Sequence, residues 1–226
     1  MITLRKRWPG ETDVQIQRAV EIIMSGGTAI VGTETFYAIA ANPFLDQAVQ
    51  RIFSIKKRSF GSPLPLIATS QEIIISKIDH MPKLAGTLMK AFWPGSLTII
   101  LEAKGNFSKY VRNAFGQIGV RVPPECPARY LSAKAGGWIT ATSANLSGDP
   151  PPKTVTEIPS EIMELVDVVI DSGPCPVGLP STVIEVKGSS WNILRLGAIC
   201  EEAIFNALEQ TANLNNLDRN DQSSIK

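Results

Sequence analysis

Trp138–Gly148 reads WITATSANLSG, and the chain changes character within this one short run. It begins as a strand: Ile139 alternates with threonines and alanine, and β-branched side chains fit a pleated, half-buried surface. It then loses its hydrophobicity without gaining charge. Thr140, Thr142, Ser143, Asn145 and Ser147 crowd hydroxyl and amide groups together, and Gly148 closes the run. Such a segment offers neutral hydrogen bonds and little bulk, which suits a polar ligand lying close to the backbone. A polar turn capped by Ser and Asn is the other reading. The basic cluster at Lys56 and Arg58, which this loop could complete, favours the ligand.

Working outward, Pro127 opens a helix that runs to Ala135 and stops at Gly136-Gly137. Behind the polar run come the stiff Pro150-Pro151-Pro152 turn, a short helix over Glu161–Val166 and the strand Asp167–Asp171. Ser172–Ser181 (SGPCPVGLPS) is rich in Gly and Pro and reads as a structured loop. Strands over Thr182–Val186 and Asn192–Leu196 and a helix over Glu201–Leu208 follow. From Asn213 the tail is polar and expected to be disordered.

Toward the N-terminus, Ile118–Val122 and Leu97–Leu101 are apolar strands, and Pro82–Phe92 is a helix broken by Trp93-Pro94-Gly95. Leu64–Ala68 is another strand, with Ser70 placed to cap the short helix after it. Asp46 is expected to cap a helix that ends at Lys56-Lys57-Arg58. Asp13–Ser25 has helical spacing, and Thr28–Gly32 is a short buried strand running into Thr33-Glu34-Thr35-Phe36-Tyr37. Strands and helices are mixed without strict alternation. The expected fold is therefore an α/β single domain over residues 1–212, a mixed sheet flanked by helices, with residues 213–226 as the tail.

Composition narrows the function classes. The chain has 226 residues, 44% hydrophobic and 19% charged, which describes a globular protein with a sizeable core. A net charge of +1 argues against a strongly basic nucleic-acid binder but permits a local basic patch. Cys126, Cys175 and Cys200 show no CxxC spacing, so neither a disulfide framework nor a zinc site is implied, and no metal ligand is assigned. MITLRKRWPGE carries charge but no apolar stretch, and no apolar run approaches the roughly 20 residues needed to span a bilayer. A soluble, cytoplasmic protein without a membrane partner is expected.

The chemistry-bearing residues are few. Lys56 and Arg58 sit at a helix end, where the helix dipole alone would favour cations. The Gly/Ser/Pro loop after them leaves both free to reach a ligand, and Lys with Arg suits a polyphosphate. Arg121 lies inside an apolar strand, where a guanidinium is costly to bury unpaired. It meets either a protein carboxylate or an anionic ligand, and Arg195 in NILRL poses the same question. His80, in a polar connection, reads as a surface residue. No GxSxG, GxxxxGK[ST], HExxH or GxGxxG motif is present. An enzyme built from these parts would work by positioning and electrostatics rather than through a side-chain nucleophile.

Several segments together resemble the YrdC family of threonylcarbamoyl-AMP synthases. They are TETFYAI (33–39), IKKRSFGSPLPLI (55–67), AFWPGSLTIIL (91–101), GVRVP (119–123), TSANLSG (142–148), DSGPCPVGLPSTVIEV (171–186) and ILRLGAI (193–199). They fall in the family's order, and its KxR…SxN signature is present as Lys56, Arg58, Ser143 and Asn145. The resemblance implies a twisted α/β fold around a large basic cavity. It also implies a nucleotidyltransferase reaction, in which L-threonine, bicarbonate and ATP, with Mg2+, give threonylcarbamoyl-AMP and pyrophosphate. The product would serve the threonylcarbamoyladenosine modification of tRNA, through a separate transfer machinery and with little or no direct tRNA binding here.

By the same resemblance Lys56, Arg58, Ser143, Asn145 and Arg195 would hold ATP, with Lys56 and Arg58 as catalytic cations. Thr35, Arg121 and Ser181 would hold threonine. The chain departs from the family pattern at Gly32, Ala38, Ile67, Pro151, Pro180 and Leu196, and Ile67, Ala38 and Pro180 are expected to border the threonine pocket. Two rival readings remain. One is a paralogue that activates another carbamate. The other is a non-catalytic module for double-stranded RNA or tRNA, against which the near-neutral charge counts.

Overall fold

The structure is a computed structural model that describes residues 2–5, 13–61 and 63–210. The elements in order are β1 (Ile2–Arg5), α1 (Asp13–Met24), β2 (Ala29–Gly32), β3 (Tyr37–Ala40), α2 (Asp46–Ile55), β4 (Leu66–Ala68), α3 (Gln71–Ile75) and α4 (Lys83–Phe92). They continue with β5 (Leu97–Glu102), β6 (Gln117–Arg121), α5 (Pro127–Lys134), β7 (Trp138–Thr140), β8 (Thr142–Ser143), α6 (Ser160–Leu165), β9 (Val168–Asp171), β10 (Thr182–Lys187) and β11 (Ser190–Arg195). Residues 201–210 are helical.

The mixed sheet expected from sequence is two mixed sheets. One has five strands in the order β1-β9-β2-β3-β8, and the other six in the order β11-β10-β5-β6-β4-β7. Each combines parallel and antiparallel pairs. The stretch 138–143 joins them: β7 closes one edge of the six-stranded sheet, β8 closes one edge of the five-stranded sheet, and only Ala141 lies between. Backbone bonds hold the crossing, Thr140 N to Ala41 O at 3.0 Å, Ala141 N to Pro65 O at 2.8 Å and Ala144 N to Tyr37 O at 2.9 Å. The Thr140 hydroxyl also accepts from Ala41 N at 2.8 Å. The Thr140 side chain thus supplements the backbone bonds where the chain changes sheets.

The five-stranded sheet is covered on both faces. Ile30, Ile39 and Val169 enter one apolar cluster with α2, while Ala29, Val31, Ala38 and Ile170 enter a second with α1 and α5. That is why AIVG and YAIA are buried along their whole length, the pattern of a strand packed from two sides. The Arg51 fork of α2 reaches Asp167 at 2.6 and 3.0 Å, and Asp167 also accepts from Thr28 N at 2.7 Å, which ties helix to sheet.

Several local expectations need correcting. Asp46 does not cap α2; Leu45 is the capping residue, with no side-chain bond, and Asp46 is the first helical residue. Thr33–Phe36 is a tight turn between the paired strands β2 and β3, closed by the Thr33 hydroxyl, which accepts from Thr35 N and Phe36 N at 3.1 Å. Ser70 does cap α3, and Pro127 opens α5. Strand β1 was not expected, since its short charged sequence carries no apolar run. The tail from Asn213 lies outside the described residues.

Candidate functional site

A cavity of about 590 Å³ lies over one face of the six-stranded sheet. Residues alternate along a strand, so Thr98 and Ile100 of β5, Arg121 of β6, and Val183 and Glu185 of β10 present side chains to the same space, and Gly119 of β6 lines it with backbone alone. The wall comes from the other sheet, through the Thr33–Phe36 turn and the loop after β8. Arg58, Arg121 and Arg195 line the cavity beside Asp149 and Glu185, so its charge is mixed.

The expected cations at the end of α2 are used differently. Lys56 is 3% exposed, and its ammonium donates to Ser143 O, to Asn145 O at 2.6 Å and to Asn145 Oδ1 at 3.2 Å. In return Ser147 bonds Lys56 O through its amide and its hydroxyl. Lys56 therefore ties down the TSAN loop and is not part of the cavity lining. Burial, with the charge of Arg58, lowers its pKa to about 8. Arg58 lines the cavity; its backbone N donates to Phe53 O at 3.0 Å, but its guanidinium has no hydrogen bond or ion pair among the described residues. Lys57 takes the left-handed φ of 49° between them, which turns these neighbours in different directions.

Ser143 and Asn145 both line the cavity, with Asn145 Nδ2 donating to Leu146 O at 2.9 Å and to Asp149 O at 2.6 Å. Arg195 reaches Ser181 O at 2.9 Å and Ser181 Oγ at 3.2 Å. Burial, and then the charge of Arg121, lower the Arg195 pKa. Ser181 Oγ lies 2.9 Å from Thr98 Oγ1, and Thr35 Oγ1 lies 2.9 Å from Thr33 Oγ1. The structured loop read from Ser172–Ser181 is held by Tyr37, whose hydroxyl donates to Gly173 O at 2.7 Å and accepts from Ser172 N at 3.0 Å.

Arg121 has a protein carboxylate as partner. Its Nε donates to Glu34 Oε1 at 3.1 Å and its Nη2 to Glu34 Oε2 at 3.4 Å, with both side chains 5% exposed. Ser96 Oγ donates to the same Oε1 at 2.9 Å. Sequence reasoning singled out Arg121 but not Glu34, Ser96 or Thr98. The available signal was the arginine itself, which required a partner, and Glu34 is the carboxylate in the neighbouring turn.

The departures from the family pattern separate in space. Ala38, Pro151 and Pro180 line the cavity, whereas Ile67 is fully buried in the second apolar cluster and Leu196 is exposed at the surface. At Gly32 an added Cβ would come within 2.5 Å of Ser172 Oγ. His80 is exposed, as expected. Among the described residues, no helix is long and apolar enough to cross a membrane.

A family model for Sua5, YciO and YrdC, described as "Telomere recombination", matches residues 21–197. A Methanocaldococcus jannaschii protein provisionally named a threonylcarbamoyl-AMP synthase is 38% identical over 177 residues, covering 78% of this chain and 83% of that one. The Bacillus subtilis threonylcarbamoyl-AMP synthase is 32% identical over 85% of this chain, which spans only 56% of the relative's length. Among solved structures, P. abyssi Sua5 in complex with L-threonine superposes with a TM-score of 0.84 at 30% identity, over 91% of this chain and 60% of that one.

Proposed function

The chain belongs to the Sua5/YciO/YrdC family, and from that premise we propose that it makes threonylcarbamoyl-AMP from L-threonine, bicarbonate and ATP. Threonine's amine and bicarbonate first give a carbamate and water. A carbamate oxygen then attacks the α-phosphorus of ATP, and pyrophosphate leaves with its bonding electrons. No protein nucleophile is required, only neutralised phosphates and two oriented reactants. Mg2+ enters with ATP, on its phosphate oxygens, as part of the substrate.

One observation carries the reading: a single cavity holds Arg58, whose guanidinium has no partner among the described residues, beside the TSAN loop and a buried arginine, Arg121, on its floor. Arg58 and Arg195, with Ser143 and Asn145, take the nucleotide. Lys56 serves the same site by fixing the loop backbone. Thr35, Arg121 and Ser181 take threonine, with Arg121 facing its carboxylate. The product passes to the tRNA threonylcarbamoyl-transfer machinery in the cytoplasm, and residues 1–212 form the catalytic domain. A paralogue acting on another carbamate is favoured only by Ala38, Pro151 and Pro180 in the lining.

The test is incubation of pure protein with ATP, bicarbonate and either threonine or a different carbamate source, read by mass spectrometry. Threonylcarbamoyl-AMP is expected, and only when all three substrates are present. An adenylate formed solely from the other carbamate establishes the paralogue, and no adenylate at all overturns the reading.

A further inference from the structure

We propose that Glu34 is a positioning residue that grips one edge of the Arg121 guanidinium and so presents the other edge to the substrate's carboxylate. This rests on the functional reading above. A guanidinium offers N–H donors along more than one edge, each able to meet a carboxylate bidentately. Glu34 occupies the edge formed by Nε and Nη2. Nη1 has no partner among the described residues, and Arg121 borders the cavity. Protein carboxylate and ligand carboxylate are therefore not alternatives for this arginine, because the two can occupy different edges at once.

Glu34 is itself held firmly. Its turn is closed by the Thr33 hydroxyl, its carbonyl accepts from Val177 N at 2.9 Å, and its Oε1 takes the Ser96 hydroxyl at 2.9 Å. Each of these comes from a different part of the chain, so the carboxylate is fixed by the fold rather than by its own rotamer. Pairing also has a consequence for charge: Glu34 with Arg121 is neutral and attracts an anion weakly at long range. Arg195, which lines the same cavity, supplies the missing positive charge. Selection at this floor then depends on the geometry of the free edge, which a positioned fork provides and a bare cation does not.

The test uses Glu34→Gln and Ser96→Ala in the full chain, with Michaelis constants for threonine and ATP and the melting temperature measured on each. Glu34→Gln keeps the shape but sets an amide N–H against Arg121, and the threonine constant should rise about tenfold or more while that for ATP stays within about twofold. Ser96→Ala leaves the ion pair intact and loosens only Glu34, so a rise of about threefold in the threonine constant alone is expected. It decides the matter if Glu34→Gln does not fold. A folded Ser96→Ala protein with wild-type constants, or either variant raising both constants equally, overturns the positioning role. A wild-type protein whose ATP consumption ignores threonine is a different result, and overturns the functional reading instead.

Discussion

Two groups of polar side chains line the same cavity and are prepared in opposite ways. On the floor and the adjoining turn the groups assigned to threonine already have partners within the protein: Arg121 with Glu34, Ser181 with Thr98, Thr35 with Thr33. Beside the TSAN loop the guanidinium that faces the cavity, that of Arg58, has none among the described residues, while its neighbour Lys56 is held by backbone carbonyls. The floor groups are therefore held by the protein itself, which favours selection by geometry. The loop side leaves a half-buried charge without a protein partner among the described residues, which would suit an anion with many oxygens. Such a division suits a small amino acid at one place and a triphosphate at the other.

Arg121→Lys should have the largest effect, because it damages the floor twice. Lysine keeps the charge but can neither fork onto Glu34 nor offer a second planar edge. Loss of charge-assisted bonds worth about 1.5–3 kcal/mol predicts a fall in kcat/KM for threonine on the order of tenfold to a hundredfold. ATP affinity should hold, and the melting temperature should drop because a buried pair is disturbed. An equal loss for ATP would mean that the two regions are not separate.

The pair Lys56→Ala and Arg58→Ala comes next. Both should weaken ATP binding about tenfold by calorimetry. Only Lys56→Ala should also lower the melting temperature, since it strands the carbonyls of Ser143 and Asn145. Equal stability in the two variants would show that Lys56 is no strut.

The smallest effect belongs to a contact far from this division. Burial pushes the Asp167 carboxyl up, but the bonds from Arg51 and Thr28 outweigh it and hold the pKa below the usual range. The folded-state pKa is then the lower one, so the contribution is complete above the unfolded value of about 3.9 and is lost as pH falls through the folded value. Asp167→Asn should melt slightly earlier than wild type at pH 7 and converge with it in acid, with threonine and ATP constants unchanged. A gap in melting temperature that persists at low pH would refute this.

Most elements were legible in the sequence because their cause is local. Pro127 at a helix start, Ser70 as a cap and the apolar run LTIIL each act over a few residues. The two-sheet arrangement was not legible, because nothing in WITATS marks that Thr140 and Ala141 bond to Ala41 and Pro65, which flank strands of different sheets. Asp46 was misplaced by one residue for a related reason, the sequence showing a suitable capping side chain but not which backbone amides it would meet. The site divides likewise. Arg58 and Arg121 stand out by composition, whereas Glu34 and Ser96 matter through contacts 87 and 62 residues away in the chain. The strut role of Lys56 depends on loop carbonyls, which every residue possesses and no side-chain pattern reveals.

The most direct measurement compares adenylate yield, by mass spectrometry, from L-threonine and from L-threoninamide, with ATP and bicarbonate held constant. The amide keeps the amine and the hydroxyl and removes only the carboxylate charge that the free edge of Arg121 would meet. Threonylcarbamoyl-AMP is expected from threonine, with a yield from the amide lower by about tenfold or more. Equal yields would contradict it, since the floor would then not be reading a carboxylate.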